Sequence, residues 1–348
     1  MAEATRILVL GATGYIGGSA LTELTKHNVD KPARSRYTLS ALVRKPQQAS
    51  ILADAGIKPL IFKDLDDFEV IRAAAKDHDI VLAAASARHA ECARACIEGL
   101  GERGKSTGKT THYIHTSGAS NVGDWPLTGD RIDTSVHSDE DMYEFEKTHP
   151  ETLSPVRNVD LRVVELGEQH GVQTYIIVPP LIFGPGTGWF TLGVGQVHQM
   201  MQLALKKKQA VMLGSGSGIW SRIHILDLSR LFYLLVVAIL DHKSDLPSGE
   251  TGYYFAENGS QSWKSIAEKI GHAGKQIGAF KTDQITKIEL QEAADEFFGS
   301  NIRDAEGVLG SKERFSYSRR VVRERRLIER AGSWAGILNV AKKTFTLT

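Results

Sequence analysis

Apolar positions in the first third of the chain fall into short runs separated by stretches of helical periodicity. Residues 7–10 form the first run, followed by a glycine-rich turn and a helical pattern to about Lys26. Residues 37–43, 58–62, 79–84 and 111–116 repeat the strand signal. Helices are expected over 68–76 and over the segment carrying Cys92 and Cys96. Strands alternating with helices predict an α/β fold, a doubly wound parallel sheet with right-handed crossovers. The pattern breaks over 118–155, where one short helix is expected, and a segment that long and irregular is often functional. It returns with a helix over 156–170, apolar at Val159, Val163, Val164 and Leu166, and a strand over 174–178 ended by Pro179 and Pro180. The most apolar stretch, 225–240, contains Asp227 and Arg230 and is shorter than the ~20 residues of a membrane span, so a buried helix is expected. These features predict a doubly wound domain over 1–185, with 118–155 as an excursion. A smaller mixed α/β substrate lobe follows over 186–348, from which 220–240 returns to the first domain.

The turn after the first strand reads Gly11-Ala12-Thr13-Gly14-Tyr15-Ile16-Gly17. Glycine at the first position permits the tight turn, at the second it lets backbone approach a pyrophosphate, and at the third it lets helix pack on strand. Backbone N–H groups and the helix dipole then hold the phosphates. Gly11, Thr13, Gly14, Tyr15 and Ile16 are the expected contacts. At the end of the second strand an NAD-selective site carries an acid for the ribose hydroxyls, but this chain has Arg44. A guanidinium pairs with a 2′-phosphate, so NADP is expected over NAD. Asp64 and Leu65 follow the third strand, where an adenine edge would lie. Ala84 and Ala85 follow the fourth and leave room for ribose and phosphates.

Composition narrows the partners. The 348 residues carry 42 Lys plus Arg against 41 Asp plus Glu. A net charge of +1 argues against nucleic-acid binding by bulk charge. Two cysteines in so long a chain are no disulfide scaffold, and no Cys/His spacing suggests a metal. The polar start and the short first apolar run do not read as a secretion signal, which points to a cytoplasmic monomer or homodimer acting on a small molecule.

The glycine turn resembles that of the extended and atypical short-chain dehydrogenase/reductase superfamily. Asp79-Ile80-Val81 with Ala85 looks like its fourth strand. The run from Tyr175 through Pro179, Pro180 and Leu181 to Gly186 is similar to its sixth strand and the loop over the nicotinamide, which adds Pro179 and Leu181 to the cofactor contacts. Ser221-Arg222-Ile223-His224-Ile225-Leu226-Asp227 looks like a segment of its epimerase/dehydratase branch. The resemblance extends to NmrA-like proteins.

It implies a catalytic Ser, a Tyr and a Lys four residues later, with the phenol exchanging a proton beside a hydride carrier. Ser117 matches the Ser. Counting back from Pro179, the Tyr position falls on Val156 and the Lys position on Asp160, so the standard dyad is absent in that register. A second register offers Tyr143 and Lys147, in acidic surroundings that also read as a solvated helix face. His137 is a further proton-donor candidate, and Asp160 alternatively pairs with Arg157 or Arg162 at the helix surface. Trp189, Phe190 and Trp220 are candidate pocket walls. The arginines between 319 and 330 read as a solvated face. The leading expectation is an NADP-dependent oxidoreductase acting on a small, apolar organic substrate. The alternatives are a redox-neutral epimerase, isomerase or lyase that retains its dinucleotide, and a non-catalytic NADP-binding regulator.

Overall fold

A computed structural model describes residues 4–29, 36–122, 137–149, 155–193 and 195–301. The first half runs β1 (Thr5–Leu10), α1 (Tyr15–Val29), β2 (Tyr37–Val43), α2 (Pro46–Asp54), β3 (Lys58–Ile61), α3 (Phe68–Lys76), β4 (Ile80–Ala83), α4 (Ala90–Thr107) and β5 (Thr111–Thr116). A short 3-10 turn, Ala119–Val122, precedes α5 (Met142–Thr148), α6 (Pro155–His170) and β6 (Val172–Val178). Helix α2 was not expected from periodicity. Its start signal is local: Pro46 opens it, and the Lys45 N–H donates to the Gln48 side chain at 3.2 Å.

The second half contains β7 (Leu181–Phe183), α7 (Gln196–Lys207), β8 (Ala210–Leu213), β9 (Ile219–His224), α8 (Ile225–Leu240), β10 (Tyr253–Phe255), β11 (Ser260–Ser262), α9 (Trp263–Gln276), β12 (Ile285–Ile288) and α10 (Leu290–Phe297). Seven parallel strands form the central sheet in the order β10-β6-β5-β4-β1-β2-β3. The order reverses at β1 and β4, and ligands of doubly wound sheets bind beyond the carboxyl ends of the strands at that switch.

Apolar residues from α3, α4 and α6 cover one face of the sheet, and residues from α1 and α8 cover the other. Strand residues alternate between the two clusters: Leu8 and Leu10 face one, Ile7 and Val9 the other. Cys92 and Cys96 are buried thiols in the first cluster. Helix α8 packs on α1, and β10 adds the seventh strand beside β6, so the chain from 225 to 256 builds the central sheet's flank.

The small lobe has its own core. A three-stranded sheet, β11-β9-β7, and a parallel pair, β12-β8, pack against α7, α9 and α10 around Met201, Trp220 and Trp263. Among the described residues no helix is long and apolar enough to cross a membrane.

Candidate active site

The turn between β1 and α1 is built from backbone packed on backbone. Gly11 has φ +83°, and a Cβ there would lie 2.5 Å from the Ala84 carbonyl oxygen. A Cβ on Gly17 would lie 2.3 Å from the Gly11 carbonyl oxygen. The Gly14 N–H donates to the Gly11 carbonyl at 2.9 Å, closing the turn. This cradle fits a pyrophosphate: the N-terminus of α1 opens onto it, and acidic residues are absent from the helix's first turn.

The linker after β7 is tied to this turn. The Tyr15 phenol is buried and donates to the Gly184 carbonyl at 2.5 Å. The Thr191 hydroxyl donates to the Thr13 carbonyl at 2.9 Å, and the Thr187 N–H donates to the Ser19 hydroxyl at 3.1 Å. The side chain of Tyr15 is thus spent on the linker, which leaves its backbone for a phosphate. Trp189 and Phe190, in the same linker, are half-buried against the α1–α8 side of the core.

Arg44 stands exposed at the carboxyl end of β2, with no ion-pair partner among the described residues. Asp64 accepts the Asp66 N–H at 3.0 Å, and His89, at the start of α4, reaches Asp66 at 3.1 Å. That contact ties the loops after β3 and β4 together. Leu65 packs partly on the core, Ala84 is half-buried and Ala85 is exposed. Pro179 and Leu181 are buried, and the Pro179 carbonyl accepts the Ala119 N–H at 3.1 Å.

At the end of β5 lies a buried polar cluster. The Ser117 hydroxyl donates to Asp160 Oδ2. Asn121 Nδ2 lies 2.6 Å from Asp160 Oδ2, 2.6 Å from Glu146 Oε1 and 3.1 Å from Ser117 Oγ. The Tyr253 phenol donates to Glu146 Oε2 at 2.7 Å. Asn121, Glu146, Asp160 and Tyr253 are all 0% exposed. His115 Nε2 lies 3.3 Å from Asp160 Oδ1, without hydrogen-bond geometry. Burial and the neighbouring Asp160 push the Glu146 carboxyl up to about 10, against the opposing pull of the Tyr253 hydrogen bond and of Arg157. Burial likewise raises the Tyr253 phenol. Burial and the charge of Asp160 thus favour the protonated form of Glu146 in this cluster.

Asp160 does not pair at the helix surface, contrary to the sequence expectation. Arg157 donates instead to the carbonyls of Asn121 and His149, at 2.6 and 2.8 Å, and Arg162 lies 3.9 Å from Glu165. Val156 is buried apolar surface. A hydroxyl has one proton to donate, and Ser117 donates it to Asp160 while 5% exposed. Ser120, in the turn after β5, is half-buried and has no hydrogen-bond partner among the described residues.

Tyr143 and Lys147 share α5 with Glu146 but occupy another face. Lys147 lies 58% exposed, 3.7 Å from Glu144 and over the Tyr143 ring. Tyr143 feels the charges of Glu250 and Glu165. Glu250 precedes β10, at the amino-terminal edge of the sheet, opposite the carboxyl ends where the cofactor turn lies. From this helix the fold brings Glu146 to Ser117, and sequence spacing gave no signal for it beyond one carboxylate in an acidic run. His137 packs edge-on to the Phe145 ring at 4.7 Å. Trp220 is buried in the small lobe. The arginines from 319 to 330 lie outside the described residues.

This chain resembles known proteins in sequence and in fold. Residues 11–126 match the NAD(P)H-binding family pattern. An oxidase, ucsJ, from Acremonium sp. is 28% identical over 321 residues, covering 86% of this chain and 88% of that protein. Among solved structures, the dTDP-glucose 4,6-dehydratase DesIV of Streptomyces venezuelae, with NAD and TYD bound, superposes with a TM-score of 0.64 at 14% identity, covering 97% of this chain and 96% of that one. The UDP-glucose 4-epimerase of Thermus thermophilus, in complex with NAD, gives 0.59 at 16% identity, with 97% and 98% covered. Vestitone reductase of alfalfa gives 0.57 at 14% identity, with 97% of each covered. At these identities the structures speak to fold alone. Residues 11–126 therefore match an NAD(P)H-binding family, and the chain shares its fold with this dehydratase, epimerase and reductase.

Proposed function

We propose that this protein is an NADP-dependent oxidoreductase acting on a small organic molecule, with a buried carboxyl pair in place of the Tyr–Lys dyad. One observation carries the reading: Asp160 and Glu146, bridged by Asn121, are joined to Ser117 at the carboxyl end of β5, the same edge of the parallel sheet as the glycine turn after β1. The relative ucsJ, an oxidase, supports the reaction class.

Backbone at Gly11, Thr13, Gly14, Tyr15 and Ile16 would hold the pyrophosphate of the cofactor, Arg44 its 2′-phosphate, and Pro179 and Leu181 its nicotinamide end. When bound, the nicotinamide supplies or accepts a hydride at C4. Ser120 offers a hydroxyl to orient a substrate oxygen. Glu146 holds a proton, Asp160 accepts the one on Ser117, and Asn121 keeps the two carboxyl groups in register. In the oxidative direction a substrate proton would pass to Ser117 Oγ as Ser117 gives its own to Asp160, and the reverse transfer would return it, with the buried carboxyl pair closed to water.

Titration of the purified protein with NADPH and NADH, followed by nicotinamide fluorescence, tests the cofactor half. Arg44→Glu is expected to weaken NADPH binding roughly tenfold to a hundredfold, the worth of a charge-assisted hydrogen bond. NADH binding should stay within about twofold, as for an ordinary surface change. Equal losses for both cofactors would remove the 2′-phosphate assignment. Lys147→Gln should likewise leave NADPH affinity within about twofold. A large loss there would return Lys147 to the cofactor ribose.

A further inference from the structure

The proposed chemistry leaves His115 idle. It is 1% exposed, and neither ring nitrogen has a hydrogen-bond partner among the described residues. Side chains two apart on a strand point the same way, so Tyr113, His115 and Ser117 share one face of β5 and its continuation. Helix α6 covers that face, since Tyr113 packs in the same core cluster as Val159 and Val163. The imidazole stacks on the Tyr113 ring, with 6.0 Å between centres and 21° between planes. Its Nε2 lies 3.3 Å from Asp160 Oδ1.

Asp160 is served on one side alone. Ser117 and Asn121 both reach Oδ2, while Oδ1 is buried without a hydrogen-bond partner. The charged and titratable groups around Asp160 are Glu146 on α5, Arg157 on α6, and Tyr113 and Tyr253 on the sheet, and none of them pairs with Oδ1. A buried carboxylate oxygen without a donor is costly, and so is a buried imidazole nitrogen without a partner. The needs of these two atoms are complementary. A carboxylate oxygen only accepts, and an imidazole nitrogen that carries its proton only donates. At 3.3 Å the pair needs a change of angle, not of distance, to become a hydrogen bond.

The direction of the hydrogen bond at Ser117 follows from that contact. A donor on Oδ1 favours the ionised form of Asp160. An ionised carboxylate has no proton, so Ser117 supplies the single one it has. Ser117 Oγ already accepts from Asn121 at 3.1 Å and keeps one lone pair for the substrate side. Without the His115 donor, burial favours a neutral Asp160. A neutral Asp160 would donate to Ser117, and Ser117 would turn its own proton outward. One imidazole N–H thus decides whether Ser117 meets the substrate as acceptor or as donor.

We propose that His115 is a positioning residue, which carries its proton on Nε2 and donates it to Asp160 Oδ1, and so holds Ser117 as the acceptor of the substrate's proton. The use of this contact rests on the oxidoreductase reading, while the hydrogen bond itself does not.

The test is NMR of the full-length protein with isotope-labelled histidine and aspartate, with and without NADPH. His115 should show a ring protonated on Nε2, with a slowly exchanging N–H resonance shifted downfield, and Asp160→Asn should move that resonance upfield. The carboxyl carbon of Asp160 should titrate about one pH unit or more higher in His115→Phe, which keeps the stack on Tyr113 but has no donor; that is the size expected for loss of a hydrogen bond to a charged group. His115→Gln offers an amide N–H and should recover most of the shift. A histidine that only fills space would leave the carboxyl titration unmoved in both variants. Circular dichroism shows whether each variant is folded, and where His115→Phe is not, the histidine resonances of the parent and of Asp160→Asn decide. A ring protonated on Nδ1 alone, an N–H resonance indifferent to Asp160→Asn, or equal carboxyl titrations in the parent and His115→Phe would overturn the assignment. Failure of NADPH to bind while the His115 resonance persists would instead strike the oxidoreductase reading alone.

Discussion

Gly17→Ala is expected to abolish cofactor binding, with NADPH affinity down by more than a hundredfold and the protein destabilised by about 3 kcal/mol or more. In an exposed helix the same change would stabilise by up to ~1 kcal/mol, because alanine is the better helix former. Here the added Cβ would lie 2.3 Å from the Gly11 carbonyl oxygen and 2.7 Å from its carbon. Both are backbone atoms of the turn that would cradle the phosphates. They cannot rotate aside like a side chain, so α1 must move off β1. That shift spoils the alignment of the N–H groups with an anion. Gly56→Ala is the control, because a Cβ there meets nothing within 4 Å, although its φ of +77° adds some strain. Calorimetric titration with NADPH and urea unfolding check both. Parent-like affinity in Gly17→Ala would show that the phosphates bind elsewhere.

The carboxyl cluster makes stability fall as pH rises. Unfolded, Glu146 titrates near ~4.3; folded, it is pushed up to about 10. Across that window the native state keeps a proton that the unfolded chain gives up, so linkage makes the slope negative, up to ~1.4 kcal/mol per pH unit. From pH 6 to 9 the protein should lose up to ~4 kcal/mol from this group. The groups facing Glu146 are Asp160 and Arg157 on α6, Asn121 in the turn after β5, and Tyr253 on β10. Glu146→Gln keeps the shape and removes the titration, so its unfolding free energy should fall less over that range. Parallel pH profiles for the two proteins, measured by urea unfolding, would mean that Glu146 does not hold a proton when folded.

Much of the fold was legible because it is written in local patterns. Residues 7–10 are apolar on both faces, as strands covered on both sides must be, while 37–43 and 111–116 mix apolar with small or polar residues and are buried along most of their length; each is a strand. The glycine turn was legible because its requirements are steric and confined to seven residues. Strand β10 was less so. Tyr253–Phe255 is three residues long and has no periodicity to read; it is a strand because β6 offers it a free edge.

The polar cluster was the least legible part. Ser117, Asn121, Glu146, Asp160 and Tyr253 are spread over 136 positions and meet because β5, α5, α6 and β10 are adjacent in space. In sequence, Glu146 lies in an acidic run that reads as a solvated face, and Tyr143 and Lys147 show the spacing of a catalytic pair. Helix phase carries Glu146, and not Lys147, into the buried cluster. On α5 the positions that turn inward are Met142 and Glu146, four residues apart and one above the other, while Lys147 is carried outward.

Sequence alone determined the parallel sheet, the glycine turn, the Arg44 expectation and the absence of Tyr and Lys from α6. These rest on periodicity, turn sterics and charge at fixed positions, which neighbours in the chain suffice to express. Tertiary structure decided which hydroxyl is spoken for and which carboxyl is pushed toward its protonated form. Each of those depends on burial and on partners distant in the chain, and a side chain's protonation and hydrogen bonding are set by the dielectric and the groups around it.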